Sequence, residues 1–145
     1  PAYTDNDGSK KKCEIIQDVA PLQFDISKLK SHSFLKGEPL ISGREMCKRA
    51  VEFKGNRGLC DGKRMINDGK LRFSEDDKIP IEFRDFCIPL PGTVLRDQRG
   101  DLRIPCLGFG RPEWRRNSAG GECWKLRFDW LMHDWGSRDR FACIE

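Results

Sequence analysis

The spacing of the seven cysteines constrains this chain more than any other feature. Cys13, Cys47, Cys60, Cys87, Cys106, Cys123 and Cys143 are scattered, and even the closest two, Cys47 and Cys60, have 12 residues between them. A structural zinc site gathers ligands in close pairs, about two to four residues apart, because one tight loop must present two sulfurs to one ion. No such pair exists and only two histidines could supplement it, so neither a metal site nor a cofactor is expected. Scattered cysteines suit crosslinks between distant segments. Each crosslink removes freedom from the unfolded chain, by about 2–4 kcal/mol. Such bridges persist in an oxidising compartment, so the chain reads as a secreted, disulfide-stapled protein. All seven cysteines are candidates for pairing. The odd count leaves one over and the connectivity open. A spare thiol that is buried and inert is the expectation.

The length of 145 residues suits one domain. Hydrophobic residues make up 37% and charged residues 34%, which predicts a modest core that bridges would reinforce. No apolar run approaches the roughly 20 residues needed to span a bilayer, so membrane insertion is not expected. No signal-peptide pattern is visible, and a secreted reading expects it to have been removed. The net charge of +4 is mild. Its bases alternate with acids, as in Arg96-Asp97, Arg99-Gly100-Asp101 and Arg138-Asp139-Arg140. That pattern marks a solvated surface rather than a basic stripe, so a nucleic-acid partner is the weaker expectation and a protein partner the stronger. A monomer is expected.

Residues 1–12 are polar and aperiodic, and read as a flexible arm before a single domain over 13–145. A helix is predicted over 25–36, capped by Asp25, with Ile26, Leu29 and Leu35 on one side and Gly37 at its end. A second is predicted over 43–54, where Ser42 and Glu45 form a capping box, Met46, Cys47, Ala50 and Val51 follow at helical spacing, and Gly55 supplies the left-handed exit. The period then changes. Residues 65–71 read as a hairpin turned at Asp68-Gly69. Ile79, Ile81 and Phe83 alternate as a strand. Val94-Leu95 and Leu102 to Ile104 flank a hairpin loop over 96–101. Residues 123–132 alternate most regularly: Trp124, Leu126, Phe128, Trp130 and Met132 on one face, Cys123, Lys125, Arg127, Asp129 and Leu131 on the other. This segment is expected to be a central strand. The fold class is therefore α+β: a small antiparallel sheet of about four strands, covered on one face by two or more helices, and disulfide-stapled.

Chemistry is sparse. A nucleophilic cysteine needs a base beside it, and nothing in the sequence places His32 or His133 near one, so no catalytic residue is assigned. The loops 96–101 and 108–121 carry Arg99, Arg111, Trp114 and Arg115. Arginine and tryptophan dominate the energetics of protein interfaces, so these four residues are the expected contacts.

Two resemblances add to this reading. His133 ends the strongest strand, a glycine-bearing loop follows, and Phe141 and Cys143 close the chain. This tail resembles that of small fungal guanyl-specific ribonucleases. The resemblance implies a ribonuclease-like fold, with Glu82, His133 and Arg127 as base, acid and phosphate-binding cation. The family's Tyr-x-His strand is missing, since the single tyrosine is Tyr3, and a non-catalytic relative is the form this implies. The second runs through the same strand. Trp124-Lys125-Leu126-Arg127 is similar to the Trp-Arg-(Phe/Leu/Val)-(Arg/Lys) motif of the Leptosphaeria avirulence and suppressing effectors, with Lys125 in place of the family's arginine. It implies a secreted fungal effector that acts by binding in a plant host, modulates immunity and is open to recognition by resistance proteins.

Overall fold

A computed structural model describes residues 2–4, 10–66, 79–110 and 123–144. In chain order it contains strands β1 (Ala2–Thr4), β2 (Lys10–Lys12), β3 (Glu14–Gln17), β4 (Lys30–His32) and β5 (Leu40–Ile41), then helices α1 (Gly43–Glu52) and α2 (Leu59–Met65). Strands β6 (Ile88–Pro89), β7 (Val94–Arg96), β8 (Leu102–Gly110), β9 (Cys123–Trp130), β10 (Trp135–Gly136) and β11 (Phe141–Cys143) complete it.

The main sheet is antiparallel and built around β8. One edge of β8 takes β9 along its length, from Arg103 opposite Trp130 to Gly110 opposite Cys123. Its other edge takes β7, with Leu95 opposite Arg103, and β6, with Pro89 opposite Cys106. Strand β3 pairs the far side of β7. Three two-stranded ladders, β1–β2, β5–β10 and β4–β11, lie beside it. The segment 1–12 thus contains a paired ladder, Ala2–Thr4 against Lys10–Lys12, within the stretch whose composition suggests an arm.

Because side chains alternate across a strand, β8 feeds two interiors. Ile104 and Cys106 join Val94, Met46, Ala50, Phe141 and Trp135 on the α1 side. Leu107 joins Ile88, Leu90, Phe83 and Met65 on the α2 side. The two helices therefore cover opposite faces, not the single face expected from the sequence. The cause is that both faces of β8 are apolar along Ile104–Leu107, where every residue is buried.

Helix α1 forms where predicted. Ser42 Oγ accepts from the Glu45 amide at 3.1 Å. The Glu45 carboxylate does not return to the cap; it accepts from Arg49 Nε at 3.0 Å. The left-handed residue after the helix is Lys54, φ 57°, not Gly55. Helix α2 was unforeseen: Met65 closes it and Ile66 is its C-cap, so neither begins a strand. The rest of the expected 65–71 hairpin lies outside the described residues. Its N-cap is Gly58, and the Thr93 hydroxyl accepts from the Leu59 amide at 2.8 Å while donating to Asp18 at 2.6 Å.

Two further expectations are corrected. Residues 25–36 contain only one short 3-10 turn, Ile26–Lys28, capped by Asp25 as expected, and then strand β4. Leu29 turns into the α2-side core and Phe34 into the α1-side core. The run Ile79 to Phe83 is not a strand: Ile81–Asp85 is a 3-10 turn that buries Ile79 and Phe83 and leaves Ile81 exposed.

Strand β9 is real but is not central. Among the described residues it pairs only with β8. Its apolar alternation runs past the end of its cover, so Trp130 is 55% and Met132 57% exposed. No two cysteine sulfurs are at bonding distance in the structure, so the expected staples are not shown. No helix among the described residues is long and apolar enough to cross a membrane.

Candidate functional site

The β7–β8 hairpin and the end of β9 meet at one end of the sheet. Asp97 organises the turn. Its carboxylate accepts from the Arg99 amide at 2.9 Å, the Asp101 amide at 3.0 Å and Arg103 Nε at 3.0 Å. Burial favours the neutral carboxyl, but the hydrogen bonds from Arg103 and the two amides outweigh it and hold Asp97 below its ordinary value. Arg103 also donates to the Phe128 carbonyl at 3.0 Å. Its guanidinium lies 5.4 Å from the centre of the Trp130 ring. The Leu131 amide donates to the Leu102 carbonyl at 2.9 Å and clamps the two elements together. The surface this frame supports carries exposed Arg99, Trp130 and Met132.

The expected contacts divide accordingly. Arg99 lies on this end. Arg111, Trp114 and Arg115 lie outside the described residues. The motif strand alternates: half-buried Trp124 and Leu126 border the α2-side core, and Trp124 meets Phe109 edge-on at 5.4 Å. Lys125 and Arg127 point to the other face.

That other face holds a group which sequence reasoning missed. Cys87 Sγ, Cys106 Sγ and an Asp129 carboxylate oxygen lie within 4.8 Å of one another. Cys87 precedes β6, Cys106 is on β8 and Asp129 on β9. Arg127 Nη2 is 3.8 Å from Cys87 Sγ and 3.8 Å from Asp129 Oδ2. Cys87 also bridges Asp139 through the backbone: its amide donates to the Arg138 carbonyl at 2.8 Å, and the Arg140 amide donates to the Cys87 carbonyl at 3.0 Å. Burial pushes the Cys106 thiol well up, and contact with Cys87 and Asp129 adds to it. Burial also raises Asp139 against the hydrogen bond it accepts from the Gly136 amide. Two thiols, a carboxylate and a guanidinium can exchange protons, form a sulfur–sulfur bond or bind a soft cation. Cys47 and Cys143 border the same core, each pushed by burial to about 11.

The ribonuclease roles are not assembled. Glu82 is exposed on the 3-10 turn Ile81–Asp85. Arg127 engages the thiol group. His133 stacks edge-on against Trp135 at 4.3 Å. Neither a hydrogen bond nor an ion pair joins these three among the described residues. Comparisons of the chain with protein-family models, with curated proteins and with solved structures find no match.

Proposed function

We propose that this protein is a secreted effector that works by binding a host protein rather than by catalysis, and that the end of the sheet carrying Arg99 and Trp130 makes the contact. The supporting observation is Trp130: a large aromatic side chain left more than half exposed on a strand, with the Arg103 guanidinium 5.4 Å from its ring centre. A side chain ordered before binding loses little entropy on binding, and exposed tryptophan and arginine are the types that dominate interface energetics. The strand motif Trp124 to Arg127 and the scattered cysteines support the effector reading. Arg111, Trp114 and Arg115 are proposed as further contacts on sequence grounds. Disulfide bridges are proposed to hold the fold in the extracellular space, with the protein a monomer that modulates immunity and is open to recognition by resistance proteins.

The test is expression of the chain in leaf tissue, with suppression of an elicitor-triggered oxidative burst as the readout. Wild type suppresses the burst. Trp130→Ala and Arg99→Ala, with unchanged melting temperatures, do not. A truncated hot-spot tryptophan costs about 2 kcal/mol or more, roughly 30-fold in affinity. Folded variants that suppress as strongly as wild type overturn the assignment. RNA cleavage abolished by His133→Ala replaces it with the ribonuclease reading.

A further inference from the structure

We propose that Cys87 and Cys106 are an oxidisable pair that closes into a cross-strand disulfide joining the segment before β6 to the central strand β8. This deepens the proposed function, which leaves the pairing of the cysteines open. It stands on the position of the two sulfurs.

The ladder between β6 and β8 sets Ile88 opposite Leu107 and Pro89 opposite Cys106. Cys87 therefore lies one step beyond that ladder, diagonal to Cys106 and on the same face. Diagonal positions in an antiparallel pair are about 7–8 Å apart, somewhat less between Cβ atoms. The two sulfurs lie within 4.8 Å of each other. Closing to a bond of about 2.05 Å asks for rotation of the two side chains and a closer approach of the Cys87 segment to β8. Cys87 has room for this, since it lies outside the main ladder and is half-buried.

The same three ligand atoms resemble a metal centre, and Arg127 argues against that use. Its guanidinium contacts both Cys87 and Asp129, so a positive charge already stands where a cation would bind. The same charge suits thiol exchange. It sits beside the sulfur nearer solvent, which attacks first. Asp129, whose carboxylate lies within 4.8 Å of the Cys106 sulfur, is placed to take up the proton that Cys106 must lose.

With oxidised glutathione as the oxidant, the Cys87 thiolate attacks one glutathione sulfur. This forms a mixed disulfide and releases one glutathione thiolate. Cys106, deprotonated, then attacks the Cys87 sulfur. The Cys87–Cys106 bond forms, the second glutathione thiolate leaves, and the two protons lost by the cysteines pass through solvent to the two glutathione thiolates. Two protein thiols are oxidised and one glutathione disulfide is reduced to two thiols. Burial of Cys106 makes the second step slow in the folded chain and faster while the chain is folding.

The experiment refolds the reduced full-length chain in a glutathione redox buffer. It is then quenched with acid, alkylated under denaturing conditions and digested with trypsin without reduction. The expected product is the peptide 85–96 joined to the peptide 104–115, two hydrogens lighter than the reduced pair. In Cys106→Ala, the Cys87 peptide is expected to carry one glutathione and to stay so. The inference is overturned if wild-type Cys87 and Cys106 are both alkylated, if either is bonded to another cysteine, or if a bound metal ion protects both. Binding through Trp130 is measured separately. Loss of the bridge assignment with retained burst suppression refutes only this inference, and the reverse result refutes only the binding surface.

Discussion

Replacing Asp97 with alanine removes the acceptor on which the proposed binding end is built. The Asp97 side chain is 7% exposed and that of Arg103 11%, so the pair is shielded from screening by solvent. Three donors lose their acceptor at once: two turn amides and the Arg103 guanidinium. The amides can recover water, because Arg99 and Asp101 are exposed. Arg103 cannot do so fully, and breaking a buried ion pair from one side typically costs about 3–5 kcal/mol. Arg103 keeps its bond to the Phe128 carbonyl, which places the expected loss near the lower figure, about 3 kcal/mol. Asp97→Asn keeps the shape and one acceptor oxygen, and is expected to lose about half as much. Urea unfolding followed by circular dichroism reads both, as a lower midpoint at unchanged slope. A loss under about 1 kcal/mol for Asp97→Ala would show that solvent already screens the pair. The rigidity claimed for Trp130 would then fail with it.

Other consequences are as direct. A Cβ added at Gly43 would stand 1.8 Å from the Leu131 carbonyl oxygen, a backbone atom that cannot move aside. Gly43→Ala is expected to destabilise by about 1–3 kcal/mol, although alanine is the better helix former by about 1 kcal/mol; a higher melting temperature would contradict the contact. Glu38 is held down to about 2, first by its hydrogen bond from Arg49 and next by the Lys36 amide. A depressed carboxylate stabilises above its unfolded value, about 4.3, and that contribution is lost as pH falls from there through about 2. Melting temperature should decline across that window, and Glu38→Gln should flatten the decline; an equal slope in both proteins would refute the pairing.

Local rules were readable wherever neighbouring residues decide the outcome. Ser42, Glu45 and the Met46 to Ala50 spacing specify α1, and its cap is in place. The β7–β8 hairpin follows from Val94-Leu95, the polar turn and Leu102 to Ile104. Helix α2 was hidden because Gly62 and Asp61 favour other conformations. Yet a Cβ at Gly62 would stand 2.3 Å from Leu90 Cδ1, so the bare backbone lets the helix approach the sheet, a gain that local propensity does not contain. The 79–83 run misled for a related reason. Apolar residues two apart fit a strand, but Ile79 and Phe83 are also four apart and share one core when the chain turns.

Cysteine spacing, read alone, rules out a zinc motif built from close pairs, and alternation alone fixes which side of β9 each residue faces. Both are properties of short stretches, carried by geometry that repeats every two or four residues. The contact of Cys87 with Cys106, the arrival of Arg127 beside them and the exposure of Trp130 depend on the register of segments far apart in the chain. That register is set by the collective fit of two cores on either side of β8, and no local window holds that information.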